Sequence, residues 1–500
     1  MFAFSPSRFV LPAAVRPLRV SSPRRRSAER VPRRPRTRCE LSATPQPQHG
    51  DSLPNTAYEV HYSLHVLPSV TELDKEQWDR FATSSGGSPF SRHDWFRCLE
   101  EAKCATAQTG WKPHHLMLRH IETQRVVAIA PAYVKSHSMG EFVFDYEWAD
   151  AAYAAGILYY PKLLLAVPFT PVTARRILTA ESSKQERSRL LFVFAQALVQ
   201  LCEAMQVSSV HVNFCAEDEV EPLQRVGFML RKGVQYHFTN FKKGQTAIAS
   251  FETQIQQSPE SCLESQSVFS SAADKRTPYI DFEDYLSEFR SKKRIKMRRE
   301  RAVVREESGL RIEVVAGQDV DHALMERMFE IYKSTVDKKF YGRQYLTKKF
   351  FQMLADCEDF KRYVCLVLAR SAEDGRIVGG TFNIVSDTNG GAFYGRYWGC
   401  VEEVRYLHFE TCYYAAIEYC IERGLSRMEP GAGGGDFKYM RGFEPSVTRS
   451  MHYLQDKRLA SAVARYLDVE SVHIDGAVSQ MRVESAIRSK ASNPRRATEE

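Results

Sequence analysis

The segments YVCLVLARS (363–371), RIVGGTFNIVS (376–386) and GGAFYGRYWGC (390–400) decide how this chain folds. Each is short, rich in β-branched and aromatic residues, and bounded by turn residues, the pattern of three successive strands. Asn389-Gly390 between the last two is a strong hairpin signal, so the strands form an antiparallel meander. The period then changes. From 406 to 423 apolar residues fall at 409, 412, 413, 416, 417, 420 and 421, the spacing of an amphipathic helix, which Gly424 ends. LSRME (425–429) returns to strand and runs directly into EPGAGGGDFKYMRGFEP (429–445).

Working outward, the meander is preceded by a charged helix (282–308), a strand RIEVVA (311–316) and two helices, DHALMERMFEIYKSTVDKK and LTKKFFQMLADC. A C-terminal helix, DKRLASAVARYLDVE, follows the glycine-rich stretch. The first half repeats this order. TELDKEQWDRFA and SPFSRHDWFRCLEEA read as helices, the second with Ser91 as N-cap. HHLMLRH, RVVAIAPAYVKS and EFVFDYEWA read as three strands, followed by a long helix (188–205), a strand SSVHVNF and a last strand over 229–241. Each half carries an aromatic pair on a short helix, Trp95-Phe96 and Phe350-Phe351. An antiparallel meander before the main helix is the order expected of the GNAT acyltransferase fold. The expected class is therefore α/β, with two tandem GNAT-like domains, 58–243 and 279–470, built on mixed, partly antiparallel sheets. Between them, 244–278 is Ser/Gln-rich without sustained period and reads as a disordered insertion or an unspliced segment. Residues 40–57 read as a disordered lead and 471–500 as a polar tail.

The net charge of +8 belongs to one end of the chain. Residues 1–39 hold eleven arginines, no lysine and a single acid, Glu29, leaving 58 basic and 60 acidic residues in the body. An N-terminus rich in Arg, Ser and Pro and poor in acid is the mark of a transit peptide. Its proline content and Phe2/Phe4 start favour the chloroplast, with the plastid stroma as destination and the mitochondrion as alternative; a basic tail binding nucleic acid is the other reading. The best apolar run, GILYYPKLLLAVPF from Gly156, contains Pro161, Lys162 and Pro168 and is too short to span a bilayer. The eleven cysteines include no C-x-x-C pair, which argues against a zinc site or disulfide framework. Cys400, Cys412 and Cys420 sit in apolar company and read as core fillers.

Long stretches of the chain resemble a known family. KSHSMGEFVFDYEWADA, YYPKLLLAVPFTPVTARRIL, GVQYHFTN, SKKRIKMRRER and YWGCVEEVRYLHFETCYYAAIEYCIERGL, followed by EPGAGGG, Lys438 and Arg441-Gly442-Phe443, are similar to the FemAB-like family of the GNAT superfamily. The resemblance covers roughly 58–470 apart from 244–278. It implies two tandem GNAT-like domains with one site, borne by the second. Bacterial members tend to read Gly-Ala-Gln-Gly-Glu-His-Lys at the loop; this chain keeps the lysine but has Gly433-Gly434-Gly435-Asp436-Phe437 before it.

The glycine-rich stretch is not a phosphate-binding P-loop. Asp436-Phe437 precede Lys438 and Tyr439 follows, where a P-loop requires glycine and then Ser or Thr. Acyl transfer to an amine asks instead for a base, oxyanion donors and a grip on the carrier. Gly433 and Gly434 would let backbone approach a substrate closely, Asp436 and Lys438 are candidate catalytic groups, and Arg441 would pair with a substrate carboxylate or phosphate. The alternative is a surface turn with solvated charges. Glu410 at the start of helix 406–423 reads either as a base or amine clamp, with His408 orienting it, or as a helix-start acid beside a packed histidine. Tyr397 joins the candidate substrate contacts. Arg396 to Val401 is the nearest approach to a GNAT pyrophosphate loop, but lacks its final small residue. In the first half, Glu147, Trp148 and Asp150, in an acidic-aromatic run with His137, Glu141 and Asp145, either receive an amine substrate or form a solvated edge. His114, His115, His211 and His237 have no metal spacing and read as structural. Nine cations between 290 and 305 read as a solvated face or as contacts to an RNA such as tRNA. The function expected is N-acyl or aminoacyl transfer from acyl-CoA or aminoacyl-tRNA to a small-molecule or peptide amine. The rival is a catalytically silent protein recognising a glycan, peptide or RNA.

Overall fold

The computed structural model describes residues 38–43, 60–180, 183–242, 277–338, 343–388, 390–433, 435–483, 485 and 487. The transit segment but for Arg38 and Cys39, most of the lead, nearly all of the Ser/Gln-rich insertion, and Asn389 lie outside the described residues. The strands are β1 (Arg38–Ala43), β2 (Val60–Leu67), β3 (Trp111–Pro113), β4 (His115–His120), β5 (Val126–Ala130), β6 (Ala132–Lys135), β7 (Lys162–Leu165), β8 (Leu178–Thr179), β9 (Ser209–Val212) and β10 (Met229–Thr239) in the first half. The second half has β11 (Leu310–Ala316), β12 (Val364–Ser371), β13 (Ile377–Ser386), β14 (Ala392–Cys400), β15 (Arg427–Glu429) and β16 (Glu444–Leu454). One sheet is antiparallel throughout, in the order β1-β2-β4-β5-β8. The other runs β11-β12-β13-β14-β15-β10-β16-β9-β7-β6-β3 and is parallel only at β14–β15 and β7–β9.

The large sheet is built by exchange. In the first half the parallel pair β7–β9 is followed by β16, which comes from the second half. In the second half the parallel pair β14–β15 is followed by β10, which comes from the first. β10 and β16 pair with each other over nine residues, Met229–His237 against His452–Glu444. The repetition of element order in the sequence thus corresponds to a repetition of sheet order.

Helices cover both faces. They are α1 (Lys75–Ser84), α2 (His93–Glu101), α3 (Tyr146–Ala154), α4 (Lys184–Met205), α5 (Val220–Gln224), α6 (Phe282–Ser287), α7 (Ser291–Ala302), α8 (His322–Asp337), α9 (Lys348–Asp356), α10 (Glu358–Lys361), α11 (Leu407–Phe409), α12 (Ala415–Glu422), α13 (Gly435–Tyr439) and α14 (Lys457–Val483). Because side chains alternate along a strand, a strand covered on both faces reads as a continuous apolar run. β12 shows this: Val364, Leu366 and Leu368 enter the core with α8 and α9, whereas Cys365 and Val367 enter the core with Tyr413, Tyr414 and Ile417. The aromatic pairs of the two halves meet in the shared core, with Trp95 edge-on to Phe350 at 5.3 Å. Gly399 is required where α8 crosses β14, since a Cβ there would fall 1.8 Å from the Ile331 carbonyl oxygen. α4 begins at Ser183, whose hydroxyl accepts from the Glu186 N–H at 3.2 Å. It has the length and apolarity to cross a bilayer, a feature the sequence reading passed over. Its apolar stripe, Leu190, Leu191, Phe194, Leu198 and Leu201, is buried in the core.

Several local expectations are corrected. EFVFDYEWA is not a strand: Gly140 and Phe142 take positive φ (79° and 59°), and helix α3 starts at Tyr146. Ser91 lies in a short 3-10 turn, and Arg92 occupies the cap of α2. Helix 406–423 is interrupted by a π-helical turn at Glu410–Tyr414. The glycine-rich stretch contains the short helix α13, and the C-terminal helix runs on to Val483. The lead is not structureless throughout, since β1 pairs with β2.

Candidate functional site

The site arises where the large sheet splits. β14 and β15 pair at only three positions, ending at Tyr394–Glu429. β10 pairs with β15 only through Phe238 and Thr239. Past Glu429 the chain turns away at Gly431, whose φ of 87° suits glycine, while β14 and β10 continue. A wedge opens between them at the carboxyl end of a parallel pair, the position where α/β folds place ligands. The loop 431–433 and Lys438 stand inside it and border two cavities. The larger, about 490 Å³, lies toward β14 and is lined by Arg396, Tyr397, Trp398, His408, Cys412 and Arg343 among others. The smaller, about 310 Å³, lies along β10 from Arg231 to Tyr236 and extends to Glu470 and Ile474 of α14. Phe142, Gly431, Ala432, Gly433 and Lys438 line both.

Lys438 is 3% exposed. Its ammonium donates to the Gly431 carbonyl, and no carboxylate pairs with it among the described residues. Burial lowers its pKa from the ordinary 10.5 to about 8. A buried amine without an acid partner is a group poised to exchange a proton near neutral pH.

The wall of the larger cavity is cationic. Arg396 donates through Nη2 to the Phe169 carbonyl, and its Nε is buried with no partner among the described residues. Burial lowers its pKa. Arg343 adds an exposed guanidinium at the rim. No Asp or Glu is among the described lining residues. The Tyr397 ring packs edge-on to Tyr332 at 4.9 Å, and His408 packs edge-on to Trp398 at 4.9 Å. Cys400 and Cys420 are buried as core residues, whereas Cys412 reaches the cavity wall.

Of the residues singled out in the sequence, Lys438, Gly433, Tyr397 and His408 come together here. Gly434 lies outside the described residues. Asp436 is exposed and lines neither cavity. Arg441 is 4% exposed and spent internally: Nη2 donates to Glu300 at 2.8 Å, Nε to the Tyr414 hydroxyl at 2.9 Å and Nη1 to the Phe437 carbonyl at 3.0 Å. Its guanidinium stacks 3.5 Å above the Phe409 ring. It anchors α13 instead of facing either cavity. Glu410 is fully buried, and its carboxylate accepts from Arg301 at 3.2 Å and Arg305 at 2.7 Å. Both arginines also hold Glu418, at 2.6 and 2.8 Å. Two of the nine cations of the basic segment are therefore a clamp on helix α11–α12. Trp148 is buried against His452, and Glu147 and Asp150 are exposed away from both cavities.

Sequence reasoning did not single out Phe142, and it read Glu141 and Asp145 as amine contacts or a solvated edge, whereas both are buried on Lys162. Lys162 donates to Glu141 at 2.9 Å and Asp145 at 2.5 Å, all three nearly inaccessible. Those anchors fix the turn that delivers Phe142 to the wedge. The apolar surroundings of Lys162 in YYPKLLLAVPF were the available signal.

The equivalent junction of the first half is bridged by buried side chains. Arg176, 1% exposed, donates through Nε to the Asn213 carbonyl at 2.7 Å and through Nη2 to the Val172 carbonyl at 2.6 Å. Glu219 accepts from the backbone N–H groups of Arg176 and Ile177 at 2.8 and 2.7 Å. Among the described residues, no cluster of His, Cys, Asp or Glu is arranged to hold a metal ion.

No curated protein matches the chain. Among solved structures, L-PGS from Bacillus licheniformis is similar at 10% identity, TM-score 0.42, over 79% of this chain and 97% of that one. A tandem GNAT protein from the clavulanic acid biosynthesis pathway is similar at 8% identity, TM-score 0.37, over 79% and 98%. Saccharomyces cerevisiae N-myristoyltransferase with bound myristoyl-CoA is similar at 12% identity, TM-score 0.35, over 83% and 87%. The model of one family, FemAB-like, described as peptidoglycan biosynthesis/recognition, matches twice in succession, over residues 69–259 and 258–489. With both halves matched by that model, the chain belongs to the FemAB-like family.

Proposed function

We propose that this protein transfers an acyl or aminoacyl group from an anionic carrier to an amine, with the reaction in the wedge of the second half. The observation that carries the reading is Lys438, a buried amine with a pKa near 8 bordering both cavities. The larger cavity, with Arg396 and Arg343 and no acid in its described lining, suits the phosphate-bearing carrier of acyl-CoA or aminoacyl-tRNA. The smaller takes the acceptor. Neutral Lys438 removes a proton from the acceptor ammonium; the freed amine attacks the acyl carbon, the bond from that carbon to the carrier breaks, and the carrier leaves with the second proton shed by the nitrogen as the amide forms. Family membership supports a transferase of this type.

The test is carrier release by the full chain, offered acyl-CoA or aminoacyl-tRNA pools with mixed amine acceptors, beside Lys438→Met. Amine-dependent release lost in the variant is expected. Binding of a donor without release from either pool would favour a recognition protein.

The arginine-rich N-terminus is proposed to direct the chain to the plastid, supported by eleven arginines against one acid in residues 1–39. A reporter fused to residues 1–45 should enter plastids; entry into mitochondria or retention in the cytosol would reject the assignment.

A further inference from the structure

β10 has an unpaired backbone edge inside the smaller cavity. In an antiparallel strand the N–H and C=O of one residue point to the same side, and alternate residues point to opposite sides. The Cys215 N–H donates to the Arg449 carbonyl at 2.9 Å, and the Gln455 N–H to the Ser208 carbonyl at 3.0 Å. Odd-numbered residues of β16 therefore face β9, and Ser446, Thr448 and Ser450 face β10. Their register partners Gln235, Gly233 and Arg231 face back toward β16. Lys232, Val234 and Tyr236 must then direct their backbone groups to the opposite edge. The Asn240 N–H, of the same parity, does so, donating to the Ser426 carbonyl at 2.9 Å.

On that edge β15 has already ended. It reaches β10 only at Phe238 and Thr239, and no described strand pairs with β10 there from Met229 to His237. An open edge of this kind is a template for another strand and is normally covered or blunted. Here it is recessed: Phe142, Val143 and Phe144 form one wall of the cavity, and Glu470 and Ile474 of α14 form another. Those walls keep out a second sheet. They leave the lane that β15 would have occupied had it run on past Glu429, and Lys438 stands where that lane meets the loop.

We infer that an extended peptide segment binds in this lane by pairing its backbone with Lys232, Val234 and Tyr236 of β10. The segment continues the line of β15, and the pairing reads backbone in preference to side chains, in the manner of strand addition. That the bound segment is the acceptor, with its amine presented to Lys438, rests on the transfer reading above; the pairing itself does not.

The test is equilibrium binding of a mixed-sequence library of short synthetic peptides to the full chain without donor. The same peptides are N-methylated either at every residue or at alternate residues only, which leaves one edge able to pair. Full methylation is expected to weaken binding about tenfold for each hydrogen bond lost, and alternate methylation to leave it unchanged. Val234→Pro removes an edge N–H but no bond to β16, and should lower affinity about tenfold with an unchanged Tm. Absence of peptide binding, undiminished binding of the fully methylated peptides, or unchanged affinity in a folded Val234→Pro would overturn the proposal. If that variant does not fold, the methylated series on the unaltered chain decides. Carrier release to small amines without any peptide binding would leave the transfer reading standing and this one rejected.

Discussion

The ammonium of Lys438 is held by the carbonyl of Gly431, seven residues earlier in the chain. A dipole can orient that charge but cannot neutralise it, so the lysine stays close to giving up its proton. Between its folded pKa of about 8 and its ordinary 10.5, the unfolded chain binds a proton that the folded chain does not. Stability therefore rises with pH through that window, and below it the buried charge costs on the order of 3 kcal/mol. Lys438→Met should raise the Tm at pH 7 and flatten its rise at alkaline pH. The same variant should reduce turnover by roughly 10²–10⁴-fold. In the unaltered protein, kcat/KM should climb with pH and level off above about 8. A stable, fully active Lys438→Met would remove the lysine from the chemistry.

Arg396 contributes charge to the larger cavity and a hydrogen bond to Phe169. Arg396→Gln preserves a donor and removes the charge. Its KM for an anionic donor should rise on the order of tenfold, with a much smaller change in kcat. Steady-state kinetics at several salt concentrations provide the check, and the variant should be less salt-sensitive than the parent.

Arg441 and Glu300 form a buried pair with Tyr414 between them, the tyrosine hydroxyl donating to Glu300. Removing one partner strands the other, so Arg441→Met should cost about 3–5 kcal/mol in urea unfolding. Arg441→Met with Glu300→Gln should recover part of that loss, giving a coupling energy of about 1–3 kcal/mol. A binding role at Arg441 would instead show as raised KM without loss of stability.

In the first half, burial alone would raise the Asp145 carboxyl, but the Lys162 ammonium overrides it and holds the pKa well below the usual carboxylate range. A depressed carboxylate contributes stability above its unfolded value near 4 and loses it as pH falls through the folded value. In the parent protein the Asp145 contribution is therefore full above about pH 4 and drains away as the solution is acidified. Lys162→Met should lower stability by about 3–5 kcal/mol at neutral pH, and the deficit relative to the parent should shrink in acid as the two stranded carboxylates protonate, read by urea unfolding at several pH values. It should also disturb the wedge, because Phe142 hangs between the two carboxylates that Lys162 anchors.

Most of the fold was legible because its signals are local. The apolar runs of β12 to β14, the period of helix α11–α12 and Gly424 after it are read from neighbouring residues alone. The segment 141–149 was not. Its alternating aromatics and acids imitate a strand, while its conformation is dictated by Lys162, seventeen residues beyond Asp145. The same limit governs the site. Lys438 and Gly433 stood out because glycines and charges crowd one turn. Glu410 and Arg441 looked equally suited to a ligand, but Arg301, Arg305 and Glu300 claim them from a helix more than a hundred residues away. A carboxylate or guanidinium at a helix start carries no local mark of whether another helix will take it.

Exchange of the last strands makes the two halves hostages of each other during folding. Met229 must find His452 across more than two hundred residues before either parallel pair is flanked. Pairing over such separations is slow, yet its entropic cost grows only with the logarithm of the intervening length. A connection of this kind can absorb dozens of extra residues at 244–278 for a fraction of a kilocalorie. It cannot be cut in the same place: the second half expressed alone would lack the strand that walls the smaller cavity.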